Sequence, residues 1–305
     1  MNLREWALPV YTILMQLAVG TLLVLWLIRR FNLERVGGDA MDRILRRPVL
    51  VMFFTMLIAI IGSHLHLSNP LLSFLAVLNV KHSWLSREIV FTVLTFLTCA
   101  ALVDRLWKPK REGEVLTTAL GWMVVVLGYA AIFCMASIYK LPTQAPWNHW
   151  STILQFFGAS WLLGPTAATA LLVMDAIFSQ EYEPELAEIR LAMLKRSLRM
   201  MAGIVSAALI LILVLNLVQI LEPENELAQI SRSLLLGLYK PLLGLRLGIL
   251  FLAVSVFILV AYRLLKTDWE LSGQITPVYL ACLLALVAEI LGRFLFYANH
   301  VRLGL

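Results

Sequence analysis

Eight apolar runs, at 8–28, 49–67, 87–107, 116–138, 152–174, 198–220, 242–265 and 275–297, decide what this sequence can fold into. Each is close to the roughly 20 residues that an α-helix needs to cross the hydrocarbon of a bilayer. None keeps the polar face that a helix on the surface of a soluble domain shows. In lipid, every backbone N–H and C=O must be satisfied within the protein, which leaves only helices and closed barrels. Unbroken apolar runs of this length, without alternation, are helices. The expected fold is therefore all-α: a polytopic membrane protein of eight transmembrane helices packed as two four-helix bundles, with residues 1–305 forming one integral-membrane domain. A hydrophobic content of 61%, a charged content of 14% and a mean hydropathy of +0.85 agree, since soluble domains are far more polar.

Charge gives the orientation. Sixteen of the 25 Lys and Arg fall in the first, third, fifth and seventh connections, beginning with Arg29, Arg30, Arg35, Arg43, Arg46 and Arg47. The positive-inside rule assigns that side to the cytoplasm, so both termini face outward, in keeping with an even number of spans. The excess of basic residues, 25 against 19 acidic, is explained by this asymmetry. No basic stripe interleaved with aromatics points to nucleic acid. Arg29-Arg30 rather than a small-residue cleavage site follows the first run, which is thus a permanent span and not a signal. Cys99, Cys134 and Cys282 each lie inside an apolar run and form no C-x-x-C, which speaks against a disulfide framework, a zinc site or an iron–sulfur cluster held by this protein alone. No histidine lies near the middle of a span, so no haem held between facing helices is expected.

The stretch from His64 to Glu88 is a polar island, and such groups are costly in a membrane. His66 ends the second span and Glu88 opens the third; antiparallel spans bring both to one face. An imidazole can both donate and accept a hydrogen bond, and a carboxyl can take a proton, a combination that suits a quinone head. The plainer alternative pairs Glu88 with Arg87 or Lys81 and His66 with a backbone carbonyl. His64, two positions from His66, points to another helix face, and His82, His149 and His300 are expected to be solvated. Glu289 and Arg293, four apart in the last span, read as an intrahelical ion pair, with a proton-path or headgroup contact as the functional alternative. Gln16, Gln155, Asn216 and Gln219 are expected to bond neighbouring helices. After Asn69-Pro70, residues 71–80 are too short to span and read as a helix lying at the interface. Trp84, Trp147 and Trp150 fit an interfacial belt, and Gly164-Pro165 should kink the fifth span.

Three segments carry a resemblance: Glu5-Trp6-Ala7-Leu8-Pro9 with Leu14-Met15-Gln16-Leu17-Ala18-Val19-Gly20; Leu65-His66-Leu67-Ser68-Asn69-Pro70 with Leu85-Ser86-Arg87-Glu88-Ile89; and the tail Glu289 to Tyr297. Together with the span layout, the sequence resembles the dimethyl sulfoxide reductase membrane-anchor subunit family. The resemblance implies a quinol-oxidising anchor in the prokaryotic cytoplasmic (inner) membrane, with no haem or metal of its own. It implies two partners, a four-cluster ferredoxin-like iron–sulfur subunit and a molybdopterin catalytic subunit, with menaquinol as substrate. The family's quinol-site histidine and glutamate fall on His66 and Glu88; His64, Arg87, Glu289 and Arg293 are secondary candidates. Two other classes stand beside this reading. A secondary transporter would show inverted repeats and paired helix breaks, of which only Gly164-Pro165 is present. A purely structural anchor would have no quinone site.

Overall fold

The apolar runs are helical wherever their residues are described. A computed structural model describes residues 3–65, 76–108, 113–144, 146–179, 182–221, 226–266 and 271–299. Among them are α1 (Leu3–Val36), α2 (Gly38–Leu65), α3 (Trp84–Trp107), α4 (Glu114–Ile138), α5 (Trp150–Phe178), α6 (Ala187–Leu221), the short α7 (Glu226–Leu236), α8 (Lys240–Lys266) and α9 (Ile275–Ala298), with no strand among the described residues. All but α7 are long and apolar enough to cross a membrane. Neighbour contacts close into two rings, α1–α2–α3–α4 and α5–α6–α8–α9, joined chiefly by α1 against α5. These two helices are the enclosed ones: 78% and 72% of their most apolar windows are buried, against 50% or less elsewhere.

The α1–α5 seam follows from small residues. Lipid tails are as apolar as leucine, so helices in a bilayer associate by close packing. Gly20 of α1 lies against Gly164 of α5: a Cβ on Gly20 would reach to 3.2 Å from the Gly164 Cα and overlap the Ser160 carbonyl, and one on Gly164 would run into the Gly20 backbone. Ser160, Gly164 and Ala168, one turn apart, are all buried. The same device seats α4 on α1, where Gly121 meets the Trp26 indole and Gly128 meets Val19; the Trp26 Nε1–H donates to the Thr118 carbonyl at 3.1 Å. α5 stays one helix through Gly164-Pro165.

The basic connections are shorter than the sequence suggests. The first is a single residue, Gly37, at φ 84°, a left-handed turn that glycine takes without a steric penalty. α1 and α2 therefore extend past their apolar runs, and Arg29 to Arg47 ride on helix rather than loop. Ion pairs make this tolerable. Arg47 and Arg190 hold Asp175 at 3.1 and 3.0 Å; Arg46 and Arg43 reach Glu183 at 2.7 and 3.2 Å; Arg190 also binds Glu183, and Arg43 binds Glu185 at 2.7 Å. This network clamps α2, α5 and α6. The buried Arg29 pairs with Asp42 at 3.3 Å and donates to the Thr118 hydroxyl at 2.8 Å, tying α1 to α2 and α4. The sequence reading also missed α7, whose Leu235 packs with Leu243 and Leu295. Of residues 71–80, only 76–79 are described as helix, a single 3-10 turn; 71–75 lie outside the described residues.

Two outcomes follow. Gly164→Leu should force α1 and α5 apart at a cost above the ~1–3 kcal/mol of ordinary overpacking, seen as a lowered thermal midpoint and reduced yield of folded protein, whereas Gly203→Leu, in open space, should leave both unchanged. The second concerns pH. Burial pushes the Glu183 carboxyl up, but hydrogen bonds from Arg190 and Arg43 and the charges of Arg46 and Arg190 outweigh it and hold the group below the ordinary carboxylate range. A depressed carboxyl contributes stability that is complete above its unfolded pKa and is lost as pH falls through its folded one. Glu183→Gln should therefore lower the thermal midpoint at neutral pH and shrink its decline on the acid side; an acid limb of unchanged size in the variant would refute the assignment.

Candidate functional site

The turn that opens α3 positions Glu88. Ser83 caps the helix, its hydroxyl accepting from the Ser86 N–H at 3.3 Å. Arg87 faces back over the preceding turn: it donates to the Val80 carbonyl at 2.9 Å and the Lys81 carbonyl at 2.7 Å, with its guanidinium 4.4 Å from the Trp84 ring. Neither Arg87 nor Lys81 is the counter-ion of Glu88, as the plainer alternative had it. Glu88 is 5% exposed, and among the described residues no Lys, Arg or His lies within ion-pair distance of its carboxyl. One turn further on, Thr92 bonds the Tyr11 hydroxyl of α1 at 3.0 Å. Glu88 lies within electrostatic reach of Tyr11, Cys134, Tyr139 and Tyr297.

Aromatic packing closes this end of the bundle. The Tyr139 and Tyr297 hydroxyls share a hydrogen bond. Trp147 stacks on Phe296 at 5.1 Å and donates to its carbonyl at 2.9 Å, pinning the α4–α5 connection to α9. Of the three expected interfacial tryptophans, Trp84 and Trp150 are exposed, whereas Trp147 is drawn into this cluster.

A second polar cluster lies between α1, α6, α8 and α9, and it corrects the expected Glu289–Arg293 pair. Arg293 sits 3.9 Å from the Phe156 ring and donates to the Gln16 side-chain oxygen at 3.1 Å. Glu289 instead faces Arg246 of α8 at 3.9 Å, and Arg246 donates to Asn216 of α6 at 3.4 Å. The aromatic face and the amide of Gln16 draw Arg293 away from its own helix, leaving Glu289 to the neighbouring one. Gly292 makes room for this, since a Cβ there would stand 2.6 Å from the Arg246 guanidinium. Gln16 Nε2, Arg246 Nε and Glu289 Oε1 are buried without a hydrogen bond. Arg246 borders two crevices of about 30 and 20 Å³, the larger also lined by Gln155 and Asn216 and the smaller by Gln155 and Glu289, each with room for a water.

Of the histidines, His64 is exposed and turns back on its own helix, its Nδ1 2.8 Å from the Ile60 carbonyl. His82 is exposed. His149 is not free in solvent: it caps α5, accepting from the Ser151 N–H at 3.1 Å. His66 and His300 lie outside the described residues. Among the described residues, no three His, Cys, Asp or Glu cluster so as to hold a metal. Sequence reading missed Tyr11, the Tyr139–Tyr297 pair and Arg246. Arg246 alone carried a signal, a charge inside the seventh apolar run.

The DMSO reductase anchor subunit (DmsC) family model matches residues 1–299. The protein belongs to the DMSO reductase anchor subunit family. It is 26% identical over 306 residues to the anaerobic dimethyl sulfoxide reductase chain YnfH of Escherichia coli, with 99% of this protein and 97% of that one covered. An anaerobic dimethyl sulfoxide reductase chain of Haemophilus influenzae is 25% identical over 312 residues, with 100% and 98% covered. A second anaerobic dimethyl sulfoxide reductase chain of Escherichia coli is 26% identical over 313 residues, with 99% and 97% covered. An anchor subunit is thus a membrane component of a larger oxidoreductase, which fits eight spans with short connections.

For this anchor subunit, Gly292→Val should expel the Arg246 guanidinium and strand Glu289 without its cation. Breaking a buried pair costs about 3–5 kcal/mol, so the thermal midpoint should fall steeply, and Arg246→Met/Glu289→Gln in the same background, which removes the displaced cation and its stranded partner together, should recover part of the loss. No recovery would mean that Gly292 serves the packing of α8 on α9 and not the arginine.

Proposed function

We propose that this anchor subunit oxidises menaquinol at the Glu88 end of its bundle and passes the electrons to the iron–sulfur subunit of a molybdopterin-dependent complex during anaerobic respiration, in the prokaryotic inner membrane. The observation that supports it best is Glu88: a carboxyl buried near the start of a spanning helix, with no Lys, Arg or His at ion-pair distance among the described residues, beside the Tyr11–Thr92 pair. Carboxyls inside membranes are paired unless they have work to do with a ligand or a proton. Oxidation of a quinol releases two protons and two electrons. In this reading Glu88 accepts a quinol hydroxyl proton as general base, and the electrons leave toward a cluster in the partner. His66 supplies the second hydrogen bond to the quinol head. Arg87 fixes the turn that carries Glu88, and His64, on another face, is secondary. Glu289 and Arg293 act one layer away, by holding the electrostatics of the aromatic cluster. The clusters and the molybdopterin belong to the partner subunits.

The relatives are named as chains of anaerobic dimethyl sulfoxide reductases, which supports a complex that reduces an oxide of that kind. In the assembled complex, Glu88→Gln should lower turnover with a menaquinol analogue by on the order of 10²-fold, the range expected for loss of a general base. Turnover of the same preparation with a soluble reduced dye should be unchanged. His66→Ala should behave similarly. Full quinol-dependent turnover in both variants would leave only an anchoring role.

A further inference from the structure

At the basic end of the bundle, a groove of about 660 Å³ opens between α1, α6 and α8. Its rim carries Arg35 from the last turn of α1 and Lys195, Arg196 and Arg199 from α6. The contrast with the neighbouring cations is informative. Arg43, Arg46, Arg47 and Arg190 are each ion-paired with Asp175, Glu183 or Glu185. Among the described residues, no carboxylate lies within 4 Å of Arg35, Lys195, Arg196 or Arg199. One set of charges is satisfied within the protein, and the other is left for something else.

The walls say what kind of ligand. Phe31, 66% exposed, together with Met200 and Leu265, makes the groove apolar below its cationic rim. Its floor is rigid: Asn32 donates to the Ile28 carbonyl at 2.9 Å and to Ser197 of α6 at 3.4 Å, fastening α1 to α6. Depth agrees. The span from Leu8 to Val36 has 29 residues, about 44 Å of helix against a hydrocarbon core of about 30 Å, so Arg35 stands at headgroup level. Lys195 and Arg196 precede the apolar run 198–220 and Arg199 is its second residue, so they stand at the same level. A cationic rim at headgroup depth over an apolar slot between spanning helices matches an amphiphilic anion. A soluble anion would make no use of the slot, and an acidic protein surface would not enter it.

We propose that this groove is a binding site for the phosphate headgroup and upper acyl chains of an anionic phospholipid, with a two-phosphate headgroup held more tightly than a single one because four cations converge. The lipid seals the α1–α6–α8 junction at the basic end, which the positive-inside rule assigns to the leaflet with an anionic surface.

The test uses the purified complex containing the full-length anchor, incubated with defined lipids and read by native mass spectrometry. The wild type should retain one cardiolipin, hold phosphatidylglycerol more weakly and not hold phosphatidylcholine. Each surface cation contributes roughly fivefold to anionic-lipid affinity, so Arg35→Ala/Arg196→Ala/Arg199→Ala should bind cardiolipin about 100-fold more weakly, and Lys240→Ala, at the opposite end, should bind as wild type. Arg35→Lys/Arg196→Lys/Arg199→Lys should restore binding, which separates loss of charge from misfolding. Equal retention by the alanine variant, equal retention of phosphatidylcholine, or displacement of the lipid by millimolar inorganic phosphate would overturn the proposal. So would loss of the iron–sulfur partner from the alanine variant with its lipid retained, which would make the rim a protein-docking surface.

Discussion

The close approach of Gly20 to Gly164 holds the rest of the molecule in register. Helices in lipid gain nothing from hiding apolar surface, because the solvent is apolar too; what they gain is contact density and satisfied polar groups. Two backbones that meet without side chains between them supply the first. Because α1 and α5 each belong to a different ring of four helices, this one crossing fixes how the rings face each other. It also sets the depth of Tyr11 and Gln16 on α1, which meet Thr92 of α3 and Arg293 of α9 respectively. The polar contacts at the Glu88 end are thus consequences of a glycine contact near the middle of the seam.

The two ends of the bundle solve the problem of charge differently. At the basic end the helices outrun the hydrocarbon, and arginines on α2 and α6 are matched to acidic residues on and after α5. At the other end, aromatic rings replace ion pairs. Tyr139, Trp147, Phe156, Phe296 and Tyr297 pack edge-to-face and stacked, and Arg293 rests on that surface through cation–π contacts with Phe156 and Phe296. An aromatic face attracts a cation without needing a carboxylate. This is why Arg293 can leave Glu289 to Arg246.

The number of spans was legible because about 20 apolar residues in a row have one physical meaning in a bilayer. Glu88 was legible as a costly group at a helix start. The direction of side chains was not. Glu289 and Arg293 share a helix face by spacing, yet they part because of Phe156 and Gln16, which lie 133 and 273 positions from Glu289. Arg87 sits next to Glu88 in sequence, but the carbonyls of Val80 and Lys81 offer it better hydrogen bonds. The first connection is polar, yet ion pairing lets its residues stay helical on either side of Gly37. In each case the competing partner came from tertiary structure, and periodicity carries no information about it.

Among the described residues, two buried carboxyls at the Glu88 end of the bundle carry the final distinction. Glu289 has a cation on a neighbouring helix and a glycine that admits it. Such a pair, once buried, resists change, since removing either partner strands the other in low dielectric. Glu88 has a phenol and a hydroxyl for neighbours and no cation at ion-pair distance among the described residues. In the proposed reading, this leaves Glu88 able to exchange a proton with a ligand that binds beside it. Arg293 rests on Phe156 and Phe296 of the aromatic layer, so the fixed charges of the second cluster act on that layer. A carboxyl held by a structural ion pair at Glu289 and one without a cation among the described residues at Glu88 is, in the proposed reading, the arrangement in which a single group changes protonation while its surroundings stay put.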